Sequence, residues 1–505
     1  MRGRRWAGLG ILAATLCTPA RATWGIVIIN HATREVGVAC ATCIEDIDLV
    51  PRLPVVRPGL GVGNVQAWWD SGVSRRSVMW DGFGQGKTPQ EILDELRQLP
   101  QHFRYQFGIA SFAGPPVTFT GTTAQPGICN VAGSDGVWSY AIQGNVITGE
   151  PVCWMAEQAI CSTDGDMAAK LMAAMEAARS MGGDGRCSCG YPADGCGSPP
   201  PSFQKSAHTA FLIVARYGDQ EGGCAAGSGC ADGAYYLSRD VVGSANDPDP
   251  VVVLGQKVAL WRIKQQGRPD QILSRVMLDR QQLVADGASR ARVTVELRDI
   301  DDVPLSHGGA QLTVVQRSPG QATALAGPVT DHGDGSYSFD LRATDQAGRG
   351  QWEIVVDFGG AKTRTLWPPL AIETVALQDL FAGFYDYPAG TGLSVPFELN
   401  RGSGEAGRAY QLLGTLSGTV PGVDLALVHL PLNRDSFFEQ TWFHPGTADF
   451  PGSIGVLDGA GHAEARLSLP PATSMALVGE RFHFCALLGS PADGITTVVT
   501  LPIIP

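Results

Sequence analysis

Hydrophobic and polar positions change rhythm along the chain, and the changes mark its organisation. Trp24 to Asn30 is an unbroken β-branched run. A polar turn at His31 to Arg34 leads into a second run, Val36 to Ala41, and the pair reads as a hairpin. Thr88-Pro89-Gln90-Glu91 is a capping box with Pro at the first helical position, opening a helix through Leu99. Ile92, Leu93 and Leu96 share one face of it. Gln106 to Ala110 and Pro116 to Gly121 form a hairpin across Phe112-Ala113-Gly114, and Val137 to Gln143 is a further strand. Helices are predicted over about Pro151 to Cys161 and Gly165 to Met181, the second rich in Ala and Met, as suits a helix packed on a sheet. Ala207 to Tyr217 reads as a buried strand, and Pro250 to Lys264 as a closing helix.

Near Gly267 the helical period disappears. Ala291 to Leu297 and Gln311 to Val315 alternate with period two, and Asp334-Gly335 is a turn before a strand from Ser336 to Phe339. About seven short strands at this spacing predict an immunoglobulin-like sandwich. Ala426 to Leu432, His462 to Leu467 and Thr496 to Ile504 give a second all-β pattern. The predicted boundaries are 1–22, 23–267, 268–374 and 375–505, with β-sandwiches in the last two segments. Neither sandwich shows a cluster of reactive residues, which suits a spacer or adhesion module.

Composition narrows the classes. A chain of 505 residues with 44% hydrophobic and 17% charged residues is globular and long enough for several domains. Gly 64 and Pro 33 favour tight turns and short strands. The net charge of -12 repels phosphate backbones and argues against a nucleic-acid partner. Residues 1–22 read as a signal peptide: Arg2, Arg4 and Arg5 are the basic start, Trp6 to Cys17 the short apolar core, and Ala20-Arg21-Ala22 the cleavage signal. The protein is therefore expected to be secreted or periplasmic, without a stable membrane span after cleavage.

Export makes the 12 cysteines legible as disulfides. Cys17 lies in the signal, ten lie between Cys40 and Cys230, and Cys485 stands alone, so five pairs with Cys485 free are expected. The irregular spacing from Cys187 to Cys196 and of Cys224 with Cys230 favours stapled loops over a metal site, and no metal or cofactor is expected. Asp247 and Asp249 could suggest calcium but read better as a helix start. Trp68 and Trp69 could line a glycan groove; adjacent Trp residues on a strand point to opposite faces, so packing accounts for at least one.

Cleavage after Ala22 would leave Thr23 as a free amino terminus at the start of a buried strand. A hydroxyl and an amine then stand on one residue, and an amine of pKa about 8 can act as the base for the hydroxyl. The segments Thr23 to Val27, Glu35 to Ala39, Arg57 to Ala67, Tyr140 to Asn145, Gly182 to Asp184, Lys205 to Ala207 and Asp247 to Val251 occur in order. Together they resemble the family called domain of unknown function 1028. The resemblance covers about half the chain and implies an α/β four-layer αββα sandwich of N-terminal-nucleophile hydrolase type, acting on an amide or related bond. Some relatives carry a peptidoglycan-binding module, which implies peptidoglycan or glycan and peptide fragments as partners.

The resemblance makes Thr23 the nucleophile and base, and the Gln143-Gly144-Asn145 turn a source of oxyanion donors through Asn145. The alternative for Asn145 is a strand-ending turn in which Asn takes a left-handed backbone. Asp184 and Ser206 look like the acid and hydroxyl that brace the terminal amine in proteasome-type sites; a plain loop position is the alternative for Asp184. Lys205 reads as a solvated surface charge. Where such sites place a Lys near the threonine, this chain has Cys43, and the nearest cation in a matching segment is Arg57. Arg can stabilise an oxyanion but exchanges no proton near neutrality. The leading expectation is an exported amidohydrolase activated by signal removal. The alternative is a non-catalytic surface, adhesion or glycan-binding protein that keeps the fold.

Overall fold

The polar end of one strand and the polar ends of its neighbours meet between two sheets, and that meeting organises the amino-terminal half. The structure is a computed structural model. It describes residues 23–123, 127–189, 196–317, 322–359, 363–376, 379–384, 387–425 and 427–505. Segment 1–22, read above as a signal peptide, lies outside the described residues. The chain divides into two units, ending at Lys264 and starting at Gln265.

The first unit contains β1 (Thr23–Asn30), β2 (Val36–Thr42), β3 (Pro54–Arg57), β4 (Gly61–Gln66), α1 (Ser74–Gly84), α2 (Pro89–Gln98), β5 (Gln106–Ser111), β6 (Gly114–Thr120), β7 (Cys129–Ser134) and β8 (Trp138–Asn145). It continues with α3 (Pro151–Ser162), α4 (Met167–Ser180), α5 (Gly185–Ser188), β9 (Thr209–Ala215), β10 (Leu237–Val241) and α6 (Pro250–Ile263). One sheet has the order β10-β9-β2-β1-β8-β7, so β1 is central and buried along its whole length. The other has the order β3-β4-β5-β6. Strands β1, β2 and β8 pack against β4 and β5 across the space between the sheets. Helices α1 and α2 cover the outer face of the four-stranded sheet, while α3, α4 and α6 pack on the six-stranded one.

The strand alternation sorts side chains into these layers. Val27 and Ile29 of β1 join Val38, Val56, Val62, Ala110 and Ala141 in an apolar core between the sheets. Phe107 and Ile109 of β5 turn outward onto Met79, Phe83, Ile92 and Leu96 of the helices. Thr88 caps α2, accepting from Glu91 N, and the Glu91 carboxylate returns to Thr88 N, the reciprocal pair expected from the sequence.

The second unit holds two all-β sandwiches. In the first, strands 275–278, 290–296, 336–343 and 323–325 form one sheet and 282–284, 370–375, 348–357 and 311–316 the other. Val293, Val295, Tyr337, Phe339, Trp352 and Ile354 fill the core between them. In the second, strands 380–382, 393–400 and 462–469 face a larger sheet that includes 409–415, 481–489 and 499–504. Phe397, Phe450, Phe482 and Phe484 lie at its centre. The strand expected over Ala426 to Leu432 is instead two short pieces, Val423–Asp424 and His429–Leu430, paired with each other. Residue 426 lies outside the described residues. A helix, α7 (Ser436–Phe443), follows, with Asp435 as its cap accepting from Phe438 N.

The disulfide expectation needs correction. Four pairs form among the described residues: Cys43–Cys187, Cys129–Cys153, Cys189–Cys196 and Cys224–Cys230. Cys485 is free, as expected, but so are Cys40 and Cys161. Cys40 faces the apolar core between the sheets while Cys161 is exposed on α3, so the two cannot meet. Trp68 and Trp69 follow β4 in a bend rather than on the strand, and both pack against cores, as expected of at least one: Trp68, with Arg104 over it, against the core under α1 and α2, and Trp69, with Arg52 over it, against the core between the sheets.

Candidate functional site

Between the sheets the interior changes character along β1. At one end it is apolar, and at the Thr23 end it is a cluster of amides. Asn64 Nδ2 donates to Gln66 Oε1 at 2.7 Å, and Gln66 Nε2 donates to Gln106 Oε1 at 3.0 Å. Gln106 Nε2 in turn donates to the carbonyl of Gly144 at 2.9 Å. All of these side chains are buried. Gly25 and Gly108 make the room: a β-carbon on Gly25 would lie 2.3 Å from Asn64 Nδ2, and one on Gly108 2.2 Å from Gln143 Oε1. Buried amides of this kind must be bonded to be tolerated, so the cluster fixes the backbone around it.

Thr23 stands at the edge of this cluster and is 3% exposed. It pairs in register with Asn145 of β8, and its carbonyl accepts from Gln66 Nε2 at 2.9 Å. Its Oγ1 donates to Thr42 Oγ1, the last residue of β2, at 3.4 Å. In the full chain its nitrogen is an amide, so an amine arises there only after cleavage. Asn145 is fully buried within β8. The expected turn at Gln143 to Asn145 is therefore absent; the left-handed residue is Val146, at φ 53°. Gly144 lies within the strand, where a β-carbon would crowd Ile147 and the sulfur of Cys129 at 3.1–3.3 Å. Ala67, just after Gln66, is also left-handed, at φ 70°. Two non-glycine residues in this sparsely allowed region flank the Thr23 end of the sheets, and such backbone strain gathers at functional sites.

Asp184 is fully buried and caps α5. Its Oδ2 accepts from Cys43 N at 2.7 Å and Arg186 Nη2 at 2.8 Å, and its Oδ1 accepts from Arg186 N and Nε, both at 3.1 Å. Arg186 Nη2 also reaches Thr42 Oγ1 at 3.4 Å. The Cys43–Cys187 disulfide ties the end of β2 to α5, so Asp184 and Arg186 are held against Thr42. Gly183 allows this segment to approach Trp24, whose ring would lie 2.6 Å from a β-carbon there. Ser206 adjoins Asp184, whose N donates to the Ser206 carbonyl at 3.0 Å. The Ser206 N and Oγ donate to Asp249 Oδ2 at 2.7 and 2.8 Å. Asp249 caps α6, accepting from Val251 N, which bears out the helix-start reading of that acid.

The fold thus brings Thr23, Asn145, Asp184 and Ser206 to one region and leaves Arg57 out. Arg57 ends β3 and pairs with Gly61, five residues along β4 from Gln66, which is about 17 Å of strand. There it ion-pairs with Glu221, donates to the Trp80 carbonyl at 3.0 Å and lies over the Trp80 ring. The cation near Thr23 is Arg186, which sequence reasoning missed. Its only local signal was its place beside Cys187.

Lys205 is half-buried and engaged, not a solvated charge. It donates to the Ser244 carbonyl and lies 3.5 Å from His208 Nδ1. A cavity of about 640 Å³ opens beside Arg186, bounded also by Lys205, His208, Asn246 and Asp247. Burial, and then the Lys205 charge, hold the His208 imidazole below the usual histidine pKa. Cys43, Cys187 and His208 bring their donor atoms within 4.8 Å of one another, but the two sulfurs are bonded to each other.

Residues 23–190 match the model of a family of unknown function (DUF1028), and residues 270–366 match that of invasin, domain 3. No curated protein matches the chain. Among solved structures, a protein from Silicibacter pomeroyi described by the same family model is 16% identical over 47% of this chain and 88% of its own, with a TM-score of 0.34. The adhesin InvE of Yersinia pseudotuberculosis is 17% identical over 45% of this chain and 58% of its own, with a TM-score of 0.18. Invasin, a bacterial integrin-binding protein, is 12% identical over 79% of this chain and 56% of its own, also with a TM-score of 0.18. No helix among the described residues is long and apolar enough to cross a membrane.

Proposed function

We propose that this chain is an exported surface protein of adhesin type, whose β-sandwich unit engages a protein or glycan outside the cell. The observation that carries the reading is the match of residues 270–366 to invasin, domain 3, within a unit built of two immunoglobulin-like sandwiches. Four disulfides in the other unit support an oxidising compartment, secreted or periplasmic, and fit removal of residues 1–22 as a signal. Peptidoglycan and glycan or peptide fragments are the partners to try first. The mature chain, labelled and applied to peptidoglycan sacculi, immobilised glycans and whole cells, is expected to bind at least one of them saturably, with Thr23→Ala binding as well as wild type. Failure to saturate on any of these surfaces would defeat the reading.

A second reading is favoured by the convergence of Thr23, Thr42, Asn145, Asp184 and Arg186 at one polar end of the facing sheets. In this reading the layered first unit works as an N-terminal-nucleophile hydrolase of an amide bond. Hydrolysis of the Ala22–Thr23 bond frees the amine. The amine takes the Oγ1 proton as Oγ1 bonds to the substrate carbonyl carbon, and Asn145 supplies an oxyanion donor. The proton then passes to the leaving nitrogen as the C–N bond breaks, and water hydrolyses the resulting ester. Arg57 has no part in it. Amino-terminal sequencing of the secreted protein, followed by labelling with a β-lactone, tests it. A chain starting at Thr23 that labels there, and fails to label as Thr23→Ala, is the expected result.

A further inference from the structure

Thr42 Oγ1 has one proton to give and two lone pairs to receive with. Thr23 Oγ1 donates to it from one side and Arg186 Nη2 from the other, each at 3.4 Å. A hydroxyl engaged by two donors is fixed as an acceptor, and its own proton points elsewhere. The guanidinium that does this is itself held at Nε and Nη2 by Asp184, which also accepts from the Arg186 backbone N, and Arg186 adjoins in sequence the disulfide that anchors its segment to the end of the strand carrying Thr42.

We infer that Arg186 is the positioning cation of the Thr23 site: with Thr42 it holds Thr23 Oγ1 in place in the uncut chain, and its permanent charge disfavours protonation of the amine that cleavage leaves beside that hydroxyl and that then replaces Thr42 as acceptor of the Oγ1 proton. The inference rests on the second reading above. It assigns to Arg186 the electrostatic task that the Lys-to-Cys43 departure left vacant, without any proton exchange by the guanidinium. The base remains the amine. Asp184 offsets part of the charge and fixes its place. Among the described residues, Lys205, His208, Asp247 and Asp249 bound the adjoining cavity with Arg186, and Glu45 faces it across His208.

The test uses the full secreted chain cut before Thr23 and follows the rate of β-lactone labelling of Thr23 against pH. Arg186→Gln is expected to slow labelling about tenfold and to move the midpoint of its rising limb up by about one pH unit, the size of shift that one nearby charge produces. Arg186→Lys, which keeps the charge, restores most of the rate and the midpoint. Thr42→Val, which removes the hydroxyl that Thr23 and Arg186 share and leaves Asp184 paired, slows labelling without needing Arg186 to change. His208→Asn keeps the wild-type midpoint. A rate and midpoint unaltered in both Arg186→Gln and Thr42→Val would overturn the inference and leave Arg186 as a structural partner of Asp184. So would a midpoint that moves with His208→Asn instead. If Arg186→Gln fails to form the Cys43–Cys187 disulfide, Thr42→Val and Arg186→Lys decide alone. If the wild-type chain does not label at Thr23, the catalytic reading itself falls and takes this inference with it.

Discussion

Gln66 reaches across from one sheet and donates its Nε2 proton to the carbonyl of Thr23 at 2.9 Å, although 43 residues separate the two in sequence. The same amide group touches the Gln143 carbonyl at 3.2 Å and Gln106 Oε1 at 3.0 Å. The first residue of β1 is therefore placed by the opposite sheet as well as by its strand neighbours.

Replacing Gln66 with Leu removes at once the buried bonds it makes to Asn64 Nδ2, Gln106 Oε1 and the Thr23 carbonyl. Each buried donor or acceptor left unbonded costs about 1–3 kcal/mol. Gln66→Leu is expected to lower stability by at least that amount in urea unfolding. Gln66→Met, of similar volume, should do the same, since shape is not what the site needs. A wild-type midpoint in either variant would remove the amide cluster from its organising role.

The Cys43–Cys187 bridge closes a loop across 144 positions, whereas Cys224–Cys230 spans 6. Cross-linking a long loop removes more entropy from the unfolded chain, with typical contributions of about 2–5 kcal/mol for removal of a native bridge. The double variant Cys43→Ser/Cys187→Ser is expected to lose more stability than Cys224→Ser/Cys230→Ser in parallel denaturation curves. Equal losses would show that the longer bridge does not constrain the unfolded chain as its span requires.

His208 is held below the ordinary histidine pKa, first by burial and then by Lys205, with Glu45 pulling the other way. The unfolded chain then binds a proton that the folded one resists. Its contribution to stability is complete above the unfolded pKa of about 6.5 and falls as pH drops from there towards the lower folded value. His208→Asn is expected to flatten that part of the curve. Urea midpoints at pH 7.5 and pH 5.5, taken from both proteins, compare the two slopes directly.

Asp435 caps α7 and also accepts from Thr415 Oγ1 at 2.7 Å, Leu416 N at 2.8 Å and Ser417 N at 2.9 Å. Those bonds outweigh its partial burial and hold the carboxyl below the usual Asp range. Asp435→Ala removes a cap and leaves loop donors unmet, and is expected to cost about 1–3 kcal/mol in thermal unfolding. Asp435→Asn should recover part of this, since its amide oxygen can still accept.

Much of the first unit was legible because its elements announce themselves locally. The β-branched runs at Trp24 and Val36, the capping box at Thr88 and the Pro at 250 each state their element within a few residues. Helix α1 does not. It begins after a left-handed Val73 with no side-chain cap of its own, and its start is held by Asp70, which accepts from Arg75 N and Arg76 N. Two buried arginines in its first turn also hide the apolar stripe that a sequence reading seeks. The site divides the same way. Thr23 and Asp184 could be found from sequence, but Arg186 could not, because its approach to Thr42 depends on a bridge between cysteines far apart in the chain. Arg57 looked close only because its segment matched a family pattern; strand register puts it at the opposite end of the sheet.

The bridge that anchors Arg186 also constrains how the protein can be made. In the exported protein proposed above, with its amino end emerging first, Cys40 and Cys43 would reach an oxidising space before Cys187 does. Cys129, Cys153 and Cys161 would emerge before the correct partner too. Oxidation in order of arrival would then join other sulfurs, and thiol exchange would be the route back to the native set. Yield in a heterologous host should accordingly track its disulfide isomerase capacity more closely than its oxidase capacity.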